Sequence, residues 1–104
     1  MQNIRITVNH PVGLHARPAA QFVQTASKYE SAVTVANITK DSAVINAKSI
    51  LLVLTLGVHQ GHEIEIVADG ADEQDALAAL KDLVDNNFGE ETASATSKEG
   101  NQDG

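Results

Sequence analysis

Residues 3–28 read NIRITVNHPVGLHARPAAQFVQTASK, and a change of rhythm inside this stretch sets the fold class. From Asn3 to Val8 the apolar side chains Ile4, Ile6 and Val8 alternate with Arg5 and Thr7, the period of two of a half-buried strand. Asn9-His10-Pro11-Val12-Gly13 then breaks the pattern with turn-forming residues. From Ala16 to Lys28 the apolar positions Ala19, Ala20, Phe22, Val23 and Ala26 recur at steps of three and four, which gives a helix one apolar face. The chain therefore mixes strands with helices, and the handover between them falls at Gly13-Leu14-His15-Ala16-Arg17-Pro18.

Working outward, Ala32 to Ile38 reads as a second strand with Val33, Val35 and Ile38 as its apolar positions. A turn at Thr39-Lys40-Asp41-Ser42 leads to a short third strand over 43–46. Gly61 to Ala68 is a fourth strand, with Ile64 and Ile66 inward and Glu63 and Glu65 outward. After Asp69-Gly70, Asp72 to Asn87 forms a long helix with Ala76, Leu77, Leu80, Leu83 and Val84 on one stripe. The apolar run from Ser49 to Gly57 suits a buried strand or a short helix equally on periodicity, although Ser49 as N-cap and Gly57 as stop favour helix. Residues 89–104 hold no apolar side chain larger than alanine, so a compact body over 1–88 is expected to carry a disordered acidic tail over 89–104.

The length of 104 residues allows one small domain, with no room for separate catalytic and substrate domains. The absence of cysteine removes disulfides, thiolate metal sites and cysteine nucleophiles together. The first fourteen residues hold no apolar stretch long enough for a signal sequence or a membrane span, and a soluble cytoplasmic protein is expected. A formal charge of −7 argues against nucleic acid as a partner. That charge is uneven: residues 1–50 carry five basic residues and two acids, whereas residues 51–104 carry two lysines and twelve acids.

The residues best placed for chemistry lie at the handover. Pro18 belongs in a first helical turn, where amide protons lack intrahelical partners, and this sets His15 at the N-cap. A helix N-terminus attracts anions through its free amides and partial positive charge. An unprotonated imidazole there offers a lone pair as nucleophile, and Arg17 adds a planar fork of donors matched to phosphate oxygens. Such a site suits a histidine that accepts and returns a phosphoryl group, since that reaction asks chiefly for positioning and charge stabilisation. The same spacing also fits a histidine that merely caps a helix beside a surface arginine. His59 and His62 stand three apart across Gly61 where a strand opens, so no metal site is expected, and His10 reads as a loop residue.

Four stretches, GLHARPAAQFV (13–23), NAKSI (46–50), TLGV (55–58) and GADEQDA (70–76), resemble the HPr family, the histidine-containing phosphocarriers of the bacterial phosphoenolpyruvate-dependent phosphotransferase system. The resemblance spans essentially residues 1–88. It implies an α+β open-faced β-sandwich, a four-stranded antiparallel sheet with three helices on one face, and makes Ser49 to about Leu54 the middle helix. It implies a carrier and not a turnover enzyme, using no cofactor, with His15 phosphorylated at Nδ1, Arg17 clamping the phosphate and the amides of Ala16 and Arg17 cradling it. Ser49 would be a regulatory phosphorylation site as well as an N-cap. The implied docking surface comprises Leu14, Ala20, Gln24, Lys48, Ile50, Leu51 and Leu54, with Leu52 or Val53 turned inward.

The implied partners of this monomer are enzyme I and the EIIA domains of sugar permeases, together with an HPr kinase/phosphorylase and a transcriptional regulator. The basic first half would be the docking side. The chain departs from the family's pattern at Gln24 and Ser27, where many members carry lysine, and at the apolar Leu52. The link between the second and third strands is longer than usual and the acidic tail is an addition. These departures leave open a rival role, a regulatory HPr-like module of nitrogen-type or carbon-control signalling. A small histidine-dependent hydrolase is more distant, because no acid is placed to orient His15.

Overall fold

The computed structural model describes residues 1–11 and 13–89, so nearly all of the expected tail lies outside the described residues. The elements are β1 (Gln2–Thr7), α1 (Ala16–Ser27), β2 (Ala32–Asn37), β3 (Ile45–Asn46), α2 (Ile50–Leu54), β4 (Glu63–Asp69) and α3 (Glu73–Asp85), followed by a 3-10 turn at Asn87–Gly89. The four strands form one antiparallel sheet in the order β1-β4-β2-β3. Helices α1, α2 and α3 pack together on one face, the open-faced α+β sandwich expected from the sequence.

The alternation read in the sequence is what seats the sheet. Ile66 pairs with Ile4 on one side and Val35 on the other, and Val35 pairs in turn with Ile45, so a row of β-branched side chains crosses all four strands. Such residues pack well on a pleated surface, and the row points at the helices. On the open face Arg5 pairs with Glu65 at 3.5 Å, and Asn3 Nδ2 donates to the same carboxylate at 2.7 Å. Opposite the row, α1 buries Pro18, Ala19, Phe22 and Ala26, and α3 buries Ala76, Leu77, Leu80 and Val84. The short helix α2 buries Val53 alone.

Three local readings change. The third strand shortens to Ile45–Asn46, because its pairing with β2 extends only over Thr34 and Val35. The fourth begins at Glu63 and not Gly61, since residues 59–62 form a turn with Gly61 at φ +89° and its amide donating to the Val8 carbonyl. In β2 the inward position after Val35 belongs to Asn37, not Ile38; Asn37 is fully buried and Ile38 only partly. A buried amide is tolerable only when its polar atoms are bonded. Asn37 Nδ2 donates to the Leu56 carbonyl at 3.1 Å and lies 3.2 Å from His62 Nδ1, while its Oδ1 accepts from the Lys40 amide.

The start of α3 is tied by Asp72 to the link between α1 and β2. Its carboxylate accepts the amides of Glu30 and Ser31, each at 2.9 Å, and the Ser31 hydroxyl. Gly70 leaves room for this junction, since a Cβ there would lie 2.6 Å from Ser31 Oγ and 2.7 Å from Ser31 Cα. The hydroxyl and amide donors favour the ionised carboxylate and hold Asp72 below its ordinary value, the Ser31 hydroxyl foremost. A lowered folded-state pKa contributes stability above the unfolded value that disappears as pH falls through the folded one. Thermal melts of Asp72→Asn and the parent should therefore differ most above about pH 5, the difference narrowing only as pH falls below the ordinary aspartate value and through the lowered folded-state one. A difference that does not narrow on acidification would show that the charge is irrelevant.

Candidate functional site

His15 stands at the N-cap of α1 with extended backbone angles, and its carbonyl accepts the Ala19 amide at 2.8 Å. Pro18, at the third helical position, has no amide proton to offer. The amides of Ala16 and Arg17 belong to the first helical turn, at the mouth of the helix. The His15 side chain makes no capping hydrogen bond, and the imidazole is exposed beside Arg17, which is exposed as well. A nucleophilic ring, two helix-terminal amides and a guanidinium thus share one turn of backbone, the donor set that suits a tetrahedral dianion.

The loop before α1 is clamped from below. The Gly13 amide donates to the His10 carbonyl at 2.9 Å, and the Leu14 amide donates to the Val58 carbonyl at 3.0 Å. Gly13 has φ +67°, and a Cβ there would stand 2.1 Å from the Val58 carbonyl oxygen, so only glycine fits this approach of two backbones. Leu14 is 4% exposed and plugs into the core, which corrects its expected place on the partner surface: the side chain that anchors the loop is not free to meet a partner.

His10, read from sequence as a plain loop residue, is buried, and its ring lies within contact range of those of both His15 and Phe88. Neither His10 nor Phe88 stood out in the sequence. The one available signal was Phe88 itself, a large apolar residue just beyond the helical stripe.

The other expected surface residues divide. Ile50, Leu51, Leu52 and Leu54 are all exposed on α2, Leu51 by 74%, while Val53 alone turns inward. This helix packs against α1. On α1, Gln24 is exposed and Ala20 half-buried. Lys48 is half-buried, and its ammonium donates to the Tyr29 carbonyl at 2.8 Å, so it joins the end of α1 to the approach to α2. With Arg5 paired to Glu65 on the open face, the basic first half does not gather as a block around His15. Ser49 caps α2, its hydroxyl accepting the Leu52 amide at 3.3 Å. His59 and His62 meet edge to face at 5.4 Å, and His62 Nδ1 accepts the His59 amide at 3.1 Å. No cluster of three or more metal-ligating side chains occurs among the described residues.

The chain is similar to known proteins in sequence and fold. The family model described as the PTS HPr component phosphorylation site matches residues 2–86. Over 85 residues the chain is 44% identical to the phosphocarrier protein HPr of Neisseria meningitidis, covering 82% of this chain and 92% of that protein. It is 38% identical over 93 residues to the multiphosphoryl transfer protein of Haemophilus influenzae, covering 89% of this chain but only 19% of that much longer protein. The crystal structure of HPr-C-His from Thermoanaerobacter tengcongensis superposes with a TM-score of 0.82 at 48% identity, covering 88% of this chain and all of that one.

The Gly13 contact makes a direct prediction. Gly13→Ala should destabilise the fold by roughly 2 kcal/mol or more, because the new methyl collides with backbone and the residue must keep a left-handed conformation. Urea unfolding checks this, and a midpoint equal to that of the parent would mean the loop rides freely over Val58.

Proposed function

Because the chain belongs to the HPr family of the phosphotransferase system, we propose that it carries a phosphoryl group on His15 between enzyme I and EIIA-type acceptors, as a cytoplasmic monomer. The observation that carries this reading is the uncapped helix N-terminus holding an exposed His15 beside Arg17. In acceptance, the His15 Nδ1 lone pair attacks the phosphorus of the donor's phosphohistidine. One N–P bond forms as another breaks, and the donor imidazole leaves. The bond made is of the same kind as the bond lost, so the group moves on readily in either direction. The amides of Ala16 and Arg17 and the Arg17 guanidinium meet the charge on the phosphoryl oxygens. The chain is a carrier and not a turnover enzyme, consumed and regenerated by the proteins on either side of it.

The exposed apolar side chains of α2, Ile50, Leu51, Leu52 and Leu54, support docking of those proteins on this helix. Among the described residues no helix is long and apolar enough to cross a membrane. A regulatory role in nitrogen-type or carbon-control signalling is the second reading, favoured by the neutral, exposed Gln24 and Ser27 on α1. Transfer assays against sugar-specific and nitrogen-type acceptors separate the two.

With phosphoenolpyruvate and enzyme I, His15→Ala should take up no label, and Arg17→Ala should be labelled at a rate lower by about tenfold or more. Acid-labile phosphate persisting in His15→Ala would overturn the assignment. Incubation with an HPr kinase and ATP should phosphorylate Ser49 and slow acceptance from enzyme I, because a charge of about −1.5 to −2 then stands beside the α2 surface. A Ser49 that stays unmodified leaves it only as the N-cap.

A further inference from the structure

We infer that His10 is a positioning residue for His15: its buried ring, wedged against Phe88, forms the wall that fixes which way the reactive imidazole turns. The inference rests on phosphoryl carriage by His15. His10 is only 4% exposed although it sits in the loop between β1 and α1. Its ring centroid lies 6.1 Å from that of His15 with the planes at 57°, and 5.8 Å from that of Phe88 with the planes at 70°. Both separations are within the range of tilted and edge-to-face ring contacts.

The wall is braced on two sides. The His10 carbonyl receives the Gly13 amide at 2.9 Å, which closes the turn that leads to His15. Behind the ring, Phe88 is 1% exposed, and it reaches that place only because Asn87 and Phe88 adopt φ +54° and +60° after α3 ends. Left-handed conformations at two residues other than glycine are costly, and the fold accepts them where Phe88 fills the space behind His10. Two ring contacts thus connect buried Phe88, through His10, to exposed His15. The His15 side chain makes no capping bond, so its orientation depends on contacts of the ring itself. In-line attack needs the Nδ1 lone pair aimed at phosphorus, and a misplacement of about 1 Å can cost about a hundredfold in rate.

The test compares the parent with His10→Ala, which removes the wall, and His10→Phe, which keeps a flat ring and discards the imidazole. Each is checked for folding by circular dichroism, then assayed for phosphoryl acceptance from phospho-enzyme I and examined by NMR of the His15 ring protons. His10→Ala should lower kcat by about tenfold with KM little changed, since the α2 surface is untouched, and should shift the His15 ring resonances. His10→Phe should restore kcat to within about threefold of the parent. A folded His10→Ala with parental kcat and parental His15 resonances would overturn the inference, as would an equal loss of kcat in both variants. Should His10→Ala fail to fold, Phe88→Leu removes the brace without touching the loop and must show the same two signatures. If the parent accepts no phosphoryl group, the reading of His15 fails, while the ring shifts still decide the contact.

Discussion

The approach of Gly13 to Val58 is the constraint on which the site depends. Two backbones meet there with no space for a side chain, and the Val58 carbonyl receives the Leu14 amide. Leu14 then plugs into the core, so the residue that follows it, His15, is held at the N-cap of α1. Val58 is itself fixed by what surrounds it. The turn that follows it is held by the His59 amide on His62 Nδ1, and His62 Nδ1 lies against the fully buried Asn37. The Val8 amide donates to the His62 carbonyl, which closes β1 onto the same turn. A distortion at the start of β4 would therefore be felt at His15 through the His59–His62 turn and the Val58–Leu14 contact.

The three helices begin in three different ways, and the differences follow their tasks. α2 has a conventional cap in Ser49. α3 has Asp72 at the N-cap position, but its carboxylate is spent on Glu30 and Ser31, so it bolts the start of α3 to the link between α1 and β2. α1 has no side-chain cap, and Pro18 reduces the number of amides that need one. A missing N-cap bond forgoes about 1 kcal/mol. Neither α1 nor α3 has that bond: at α3 the Asp72 carboxylate is engaged elsewhere, whereas at α1 the N-cap is the exposed His15.

Much of this was legible in the sequence. The alternation at Ile4 and Ile6 and at Ile64 and Ile66 defines the edge strand β1 and its central neighbour β4, and the stripes through Phe22 and Leu80 define the long helices. His15 and Arg17 stood out because Pro18 marks the helix start and so locates the cap. Other features rest on tertiary contacts that no local pattern encodes. A five-residue helix gives periodicity too few turns to act on, so α2 was resolved by family resemblance and not by spacing. Asn37 occupies a core position because the loops around it supply partners, and nothing near it in sequence announces them. Lys48 reads in the sequence as a docking charge, whereas in the fold its ammonium donates to the Tyr29 carbonyl. His10 and Phe88 are far apart in the chain, and only the left-handed turn after α3 brings them together.

The most direct test of phosphoryl carriage is to observe the histidine ring nitrogens by NMR while the protein is incubated with phosphoenolpyruvate and a catalytic amount of enzyme I. A single phosphorylated species should form, with coupling to phosphorus at Nδ1 of His15 and unmodified nitrogens in His10, His59 and His62. Phosphorylation at Nε2 of His15, at another histidine, or at none would contradict the central claim.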